Sequence, residues 1–585
     1  MTRCNQIVFR VSKVFAALIG GVLMISGSNA ESERHAQMDH GAALMAIVQG
    51  EGTLPRLAGA ALHVTKNGKT LFSEGSGCAH FKEGQCERAL TGQSKLRVAS
   101  VSKVAVALAI ENLRQQGTID LDTDISQYLQ REVRHPAHKH QAVTVRHLLS
   151  HTSTIRDPEE YWITAPGHFT SLFDGEGIFE TERNDAPGAY FSYANLNYGL
   201  LAEIIERTSN MRFDAYVEAH VMQPLGLKAG FNWSGVSQAD REAAATLYRK
   251  ENGVWVSQID DADALAQTTP LFLRGDGVDP VRYLNNYQPG DNPTLFSPQG
   301  GLRASVGDMA VLVTAAAEAA QLATPVWSLN NLASNGDHNN RMFARYGAGL
   351  HVIDANQEIG SPAMIGHSGE AYGLNSGAWV IKDDQSGDEV VISFAINGID
   401  GEPIRSVHPS FYQSEYALLQ LAMDIAGLSH PANVSEVAHS DEEHTSPEAR
   451  PFHKEADARL DVEAALRASS YSGRPALLVL GANWCHDSRG FAGKVAQEPL
   501  KSFVADHFHL VYVDVGHRDR NLSIASRFGI SELLGTPTIL IVSPDGALLN
   551  EDTVHDWRTA YSRSADEVEN YLRNFTSDAS NVTSK

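Results

Sequence analysis

One stretch divides this chain. Between Ser429 and about Glu455 the apolar periodicity stops, and histidine, acid, serine and proline take over (HSDEEHTSPEARPFHKE). A segment with so little apolar surface to bury behaves as a tether, so the chain is expected to fold as separate units on either side of it. On the N-terminal side, AGAALHVTKNGKTLFSEGSG places two apolar runs around Asn67-Gly68, a strong hairpin signal. Ser100 to Gln116 then carries alanine, valine and leucine at helical spacing until Gly117. On the C-terminal side, ALLVLGANWC, HLVYVDVG and TPTILIVSPDG read as three buried strands with helical stretches between them. The expected layout is a large domain over 31–428, an acidic linker over 429–457, a small α/β domain over 458–577 and a tail over 578–585.

Residues 1–30 carry Arg3, Arg10 and Lys13, no acid, an apolar run from Val14 to Ser26, and small residues at Ser28-Asn29-Ala30. That order is expected of a signal peptide. Its apolar run falls short of the roughly 20 residues that span a bilayer, which weighs against the alternative of an uncleaved anchor. The chain is therefore expected to be periplasmic or secreted, with no stable membrane insertion after cleavage. A formal net charge of −23 repels polyanions at long range and argues against nucleic acid as a main partner. Four cysteines in 585 residues are too few for a disulfide scaffold. Cys4 lies in the leader. Cys78 and Cys86 bracket a short polar stretch, and an oxidising compartment favours joining them over leaving two free thiols, at a gain of roughly 2–3 kcal/mol.

The chemistry begins at Ser100-Val101-Ser102-Lys103. At the first turn of a helix, positions i and i+3 share a face, so the Lys103 amine can stand beside the Ser100 hydroxyl. A serine hydroxyl needs a base to become a nucleophile, and a desolvated lysine can be that base. The free backbone N–H at a helix start can serve a developing oxyanion. Tyr193-Ala194-Asn195 follows a turn and opens an apolar helix: a tyrosine beside an ammonium has its phenolate favoured and can relay protons, and an asparagine can donate to a substrate carbonyl. In His367-Ser368-Gly369, a small residue and a glycine let a substrate lie against a strand edge, where the Glu370 N–H is a second candidate oxyanion donor.

RVASVSKVAVALAI, TVRHLLSHTS, PGAYFSYANLNYGLL, SPQGGLRASVGDMA and GHSGEAYG occur in the order seen in the serine β-lactamase-related family, which includes class C β-lactamases, D-aminopeptidases, DD-peptidases and esterases. The resemblance covers roughly residues 38–428. It implies an α/β domain of the α+β type, with an antiparallel sheet flanked by helices, and an acyl-enzyme mechanism without metal or other cofactor. It further implies Ser100 as nucleophile, Lys103 and Tyr193 as the proton-transfer pair, Asn195 as a substrate contact, and the Ser100 and Glu370 amides as the oxyanion hole. His367 stands where class C β-lactamases carry lysine, and a mostly neutral imidazole is a poorer partner for a β-lactam carboxylate. Thr154 stands where a glycine is usual. The expected activity is hydrolysis of a small ester or amide, a D-amino-acid peptide or β-lactam among the options. The alternative is a penicillin-binding or sensor protein without efficient turnover.

GANWCHDSRGF, DVGHRDRNLSIASRFGI and GTPTILIVSPDG resemble a thioredoxin-like domain over about residues 458–577. Trp484-Cys485 sits where that family has W-C-x-x-C, and Thr536-Pro537 matches its cis-proline turn. Ser488 replaces the second cysteine, so an attacked partner protein would stay as a mixed disulfide. Cys485 and Pro537 are thus redox candidates, either in a monothiol role with a thiol partner or in a redox-silent docking domain, and a thiol-redox factor acting through Cys485 is a further alternative for the function of the chain. The histidines at 135, 138 and 140 and the aspartates at 120, 122 and 124 are expected to be a solvated loop and a polar turn, without metal. The linker histidines (430, 439, 444 and 453) belong to the tether.

Overall fold

The computed structural model describes residues 40–158, 161–173, 177–181, 185–251, 253–261, 278–330, 335–337, 342–356, 359–383, 386–401, 403–428, 449–453, 456, 458–483, 485–516, 520–530, 533, 535–558 and 560–576. The expected leader with Cys4, most of the expected linker with His430, His439 and His444, and Trp484 lie outside the described residues.

The large domain is built on nine antiparallel strands. In chain order they are β1 (Leu57–Lys66), β2 (Lys69–Lys82), β3 (Gln85–Ala89), β4 (Trp327–Ser328), β5 (Arg345–Tyr346), β6 (His351–Ile353), β7 (Met364–Ala371), β8 (Leu374–Lys382) and β9 (Glu389–Ile399). Their order across the sheet is β3-β2-β1-β9-β8-β7-β6-β5-β4. The first strand therefore pairs with the last, from Leu57 opposite Ile399 to Lys66 opposite Val390. Alternate residues face opposite sides of a strand, and here both sides are covered. Leu62, Val64, Trp379, Ile392, Phe394 and Ile396 pack against the helix over residues 40–49 (α1) and Gln413–Ala426. Ala61, Ala378, Val380, Val391 and Ala395 join the core that holds Ser102–Gln115 (α2), Leu196–Ser209 (α3) and Val306–Glu318 (α4). The hairpin expected at Asn67-Gly68 joins β1 to β2 with positive φ at both residues (50° and 76°), the geometry a two-residue turn between twisted strands requires. Cys78 in β2 and Cys86 in β3 are disulfide-bonded.

α2 is buried along almost its whole length and packs on α3. A helix covered on almost every side lies in the middle of a domain, and this one carries Lys103 inward with it. Short strands at Leu96–Arg97, Leu302–Ala304 and Gly230–Phe231 form a small antiparallel sheet at the mouth of α2.

The C-terminal domain has three described strands: β10 (Ala476–Gly481), β11 (His509–Asp514) and β12 (Thr538–Val542). The central β10 is parallel to β11 and antiparallel to β12. Leu477 and Val479 face a core with Phe491, Val495, Phe503, Trp557, Val568 and Leu572, while Leu478 and Leu480 face one with Val462, Ala465 and Ile524. Helices on both sides of the sheet explain why β10 reads as an unbroken apolar run. The expected linker ends earlier than its composition suggested. Phe452 is buried in this core, its N–H donates to Asn483 Oδ1 (3.2 Å), and Asn483 Nδ2 donates back to its carbonyl (2.8 Å). A single aromatic has no periodicity to detect, which is why the pattern missed it.

Of the histidine loop, His135 is fully buried rather than solvated. Its Nδ1 accepts from the Ala137 N–H and its Nε2 faces the Glu180 carbonyl, so its ring organises the loop. Asp122 pairs with Arg146, and Asp124 pairs with Arg134 while capping the turn at Ser126.

Candidate active site

Ser100 sits in a 3-10 turn, Ala99–Val101, that precedes α2, so the helix proper starts two residues later than the sequence pattern suggested. Ala99 holds a left-handed φ of 47°, a conformation that costs an alanine roughly 1–2 kcal/mol. Ser102 ties the turn down: its hydroxyl donates to Ala99 O (2.6 Å) and accepts from Leu302 N–H (3.0 Å). Strand β7 comes close on another side. A Cβ on Gly369 would lie 2.7 Å from Val98 O and 2.9 Å from Ser100 N, so only glycine lets this strand approach the nucleophile turn.

The Lys103 amine is fully buried and has three neighbours: Ser100 Oγ at 3.0 Å, Asn195 Oδ1 at 3.0 Å and the Gln299 carbonyl at 2.9 Å. Burial pulls its pKa down to about 7, against a smaller upward pull from Asp157. A neutral amine has two hydrogens and one lone pair. Asn195 Oδ1 and the Gln299 carbonyl can only accept, so they take the two hydrogens and leave the lone pair to the Ser100 O–H.

Asp157 fixes that arrangement. Its carboxylate accepts from Asn195 N–H (2.9 Å), Leu196 N–H (2.7 Å) and Asn195 Nδ2 (2.9 Å). It caps α3 and forces the Asn195 amide to present its oxygen to Lys103. Burial raises the Asp157 pKa, and these three donors hold it down. Asn195 thus serves the lysine with its oxygen, and one Nδ2 hydrogen is left for the substrate carbonyl that the sequence reading assigned to it.

Tyr193 departs from expectation. Burial raises its pKa well above 10, against a smaller downward pull from the neighbouring Ser100 hydroxyl, so the phenol and not the phenolate is favoured. The lysine expected to stabilise a phenolate is itself desolvated. The ring is clamped between His151 (centroids 4.2 Å apart) and Phe343 (5.1 Å).

His367 also departs from its expected place beside substrate. It is fully buried and absent from the cleft lining. Its Nδ1 donates to the Ser368 carbonyl, which leaves Nε2 to accept from the Tyr346 hydroxyl (3.0 Å). Burial, reinforced by His351 and Lys103, keeps it neutral. The cleft, of about 330 Å³, is lined by Ser100, Tyr193, Asn195, Ser368, Gly369 and Glu370 together with Arg97, Tyr161, Trp162 and Tyr372. Asp157, Gln299, His151 and Arg97 were missed as site residues. His151, Arg97 and Gln299 lie inside motifs quoted for the resemblance, but nothing in the one-dimensional pattern tells a buried polar residue from an exposed one.

Residues 45–411 match the family described as Beta-lactamase. The chain belongs to that family. Residues 457–544 match a second family, described as Thioredoxin-like. Among curated relatives of this beta-lactamase-family chain, Penicillin-binding protein 4* of Bacillus subtilis (strain 168) is 30% identical over 172 residues, 28% of this chain and 37% of that protein. Protein flp of Staphylococcus aureus (strain MW2) is 27% identical over 177 residues, 29% of this chain and 34% of that protein. The alignments thus span little more than a third of the length of these relatives. Among solved structures, D-amino acid amidase from Ochrobactrum anthropi SV3 is 18% identical, with a TM-score of 0.44, 66% of this chain and 99% of that chain being covered. The structure of SurE is 18% identical with a TM-score of 0.45, covering 72% and 81%.

In the second domain, Cys485 is the N-cap residue of the helix His486–Val495 and is 7% exposed. Its thiol donates to the Thr536 carbonyl (3.1 Å), next to the cis bond before Pro537. Ser488 is fully buried with its hydroxyl unpartnered. The free cysteine among the described residues is Cys485 itself, so no second thiol stands beside it.

Proposed function

We propose that this protein is an exported serine hydrolase that cleaves a small ester or amide through an acyl-enzyme at Ser100. The observation that carries this reading is the Lys103 amine, desolvated to a pKa of about 7 and held 3.0 Å from Ser100 Oγ with its two hydrogens committed elsewhere. In the forward step Lys103 Nζ takes the Ser100 proton while Oγ bonds to the substrate carbonyl carbon and the carbonyl electron pair moves to oxygen. Collapse of that intermediate expels the alkoxide or amine. The leaving group takes a proton from the Tyr193 phenol, which the Lys103 ammonium replaces. Water then attacks the acyl-enzyme along the same relay in reverse. Export is supported by the pattern of residues 1–30 and by the Cys78–Cys86 disulfide. A dithiol-redox role finds no support at Cys485, because no second free cysteine stands among the described residues.

The test is intact-mass labelling with a neutral fluorophosphonate, with turnover of a short-chain nitrophenyl ester and of D-alanyl-p-nitroanilide. One adduct on the native chain and none on Ser100→Ala is expected. An unlabelled native chain, or an adduct that persists in the variant, overturns the reading. Stoichiometric labelling without turnover of either substrate supports the penicillin-binding or sensor alternative.

A further inference from the structure

The large domain holds another cavity, of about 340 Å³, that shares no lining residue with the catalytic cleft. The two lie at opposite ends of α3. Asn195 caps the first turn of that helix, and Arg207, in its last turn, lines this cavity about 18 Å further along the axis. Leu129, Phe169 and Phe173 supply apolar walls, and Arg131 and Arg207 supply two guanidinium groups. The Arg131 guanidinium lies over the Phe173 ring, 4.5 Å from its centroid. Such a contact holds the cation by its face and leaves its in-plane N–H donors free. Among the described residues no acceptor or carboxylate meets the Arg131 side chain. Arg207 gives its Nε to the buried Glu203 (2.5 Å), and its terminal nitrogens have no acceptor among the described residues. Acids outnumber bases throughout this chain, whose net charge is −23. Two guanidiniums meeting at one apolar cavity, with a single carboxylate between them, run against that balance.

We propose that this cavity is a second ligand site, outside the hydrolytic cleft, for a small amphiphilic carboxylate: one carboxylate group joined to an aryl or alkyl body. The planar donor fork of a guanidinium matches the two oxygens of a carboxylate. The leucine and the two phenylalanines bury the apolar body, as the walls of a small-molecule site do. Glu203 offsets one of the two positive charges, so the charge left to be met is a single one, which suits a monoanion better than a phosphate dianion.

Calorimetric titration of the full chain with three probes tests it: 4-phenylbutyrate, its neutral amide 4-phenylbutyramide, and acetate. The acid should bind about 10–100-fold more tightly than the amide, the range of a charge-assisted hydrogen bond. Acetate, which has the charge without the apolar body, should bind at least about tenfold more weakly than the acid. Arg131 is exposed and its side chain accepts no structural duty beyond the Phe173 contact, so Arg131→Gln keeps the fold. In that variant the preference for acid over amide should fall to about twofold or less, and Arg131→Lys should keep part of it. Equal binding of acid and amide to the native protein overturns the site without needing any variant, as does the absence of binding by the acid at about 10 mM. A preference that survives Arg131→Gln also overturns it, because the carboxylate is then held elsewhere, the catalytic cleft included.

Discussion

Two nucleophilic side chains in this protein stand at the start of a helix with a hydroxyl or amine three positions on: Ser100 with Lys103, and Cys485 with Ser488. The spacing is the same and the surroundings are not. Around Ser100, chain from three distant stretches closes in: Asp157, Tyr193 with Asn195, and Gln299 leave the amine one free lone pair, and that lone pair faces the serine. Around Cys485, the thiol donates a hydrogen bond to a backbone carbonyl, and the residue at i+3 is a buried hydroxyl with no hydrogen-bond partner among the described residues. Helical spacing brings two groups to one face. Chemistry needs a third and a fourth group to fix their protonation states.

The sharpest way to break that contrast is to exchange the loss between the two sites. Lys103→Met should lower hydrolysis by roughly 10²–10⁴-fold, the range for removal of a general base, whereas Cys485→Ser should leave it within about twofold because the sites share no partner. Steady-state kinetics on one chromogenic ester reads both, and a large loss in Cys485→Ser would show that the second domain takes part in the hydrolysis.

A smaller effect tests the positioning of Lys103. The amine must be neutral to act, so kcat/KM should rise with pH through about 7 and level off above it. Asp157 favours the charged lysine, so Asp157→Asn should move that limb to lower pH, together with a loss of about 10–100-fold at the plateau from a misplaced Asn195. A plateau loss with an unmoved limb would leave Asp157 only a capping role.

The smallest effect concerns the loop between these residues. Thr154 has a left-handed φ of 66°, which explains why a glycine is usual there, and its backbone is held by Glu180 N–H donating to its carbonyl (2.8 Å). Relief of that strain predicts that Thr154→Gly raises stability by about 1 kcal/mol, read from the denaturation midpoint, with activity unchanged. A fall in the midpoint would show that the packing of the buried threonine outweighs its strained backbone.

What was legible in the sequence was local. The Asn67-Gly68 turn, the α2 periodicity and the apolar runs of β10, β11 and β12 each follow from a few consecutive residues. So does the placing of Ser100 and Lys103 on one helix face. Phe452 was missed because an isolated aromatic in a polar stretch gives no period, and His135 because a loop histidine looks the same buried or wet. Asp157 lies in RDPEEY, an acidic stretch that reads as a solvated loop, yet it is the residue that orients Asn195.

The sequence by itself determined which residue types are present, their spacing along helices and strands, and the division of the chain at its polar middle. Tertiary structure decided the protonation states: a lysine brought to about 7, a tyrosine held as a phenol and a histidine kept neutral. The physical reason is that the cost of charge depends on desolvation and on which dipoles lie within a few ångströms, and both are set by chain segments far apart in sequence, such as Lys103, Asn195 and Gln299, that meet only in the folded chain.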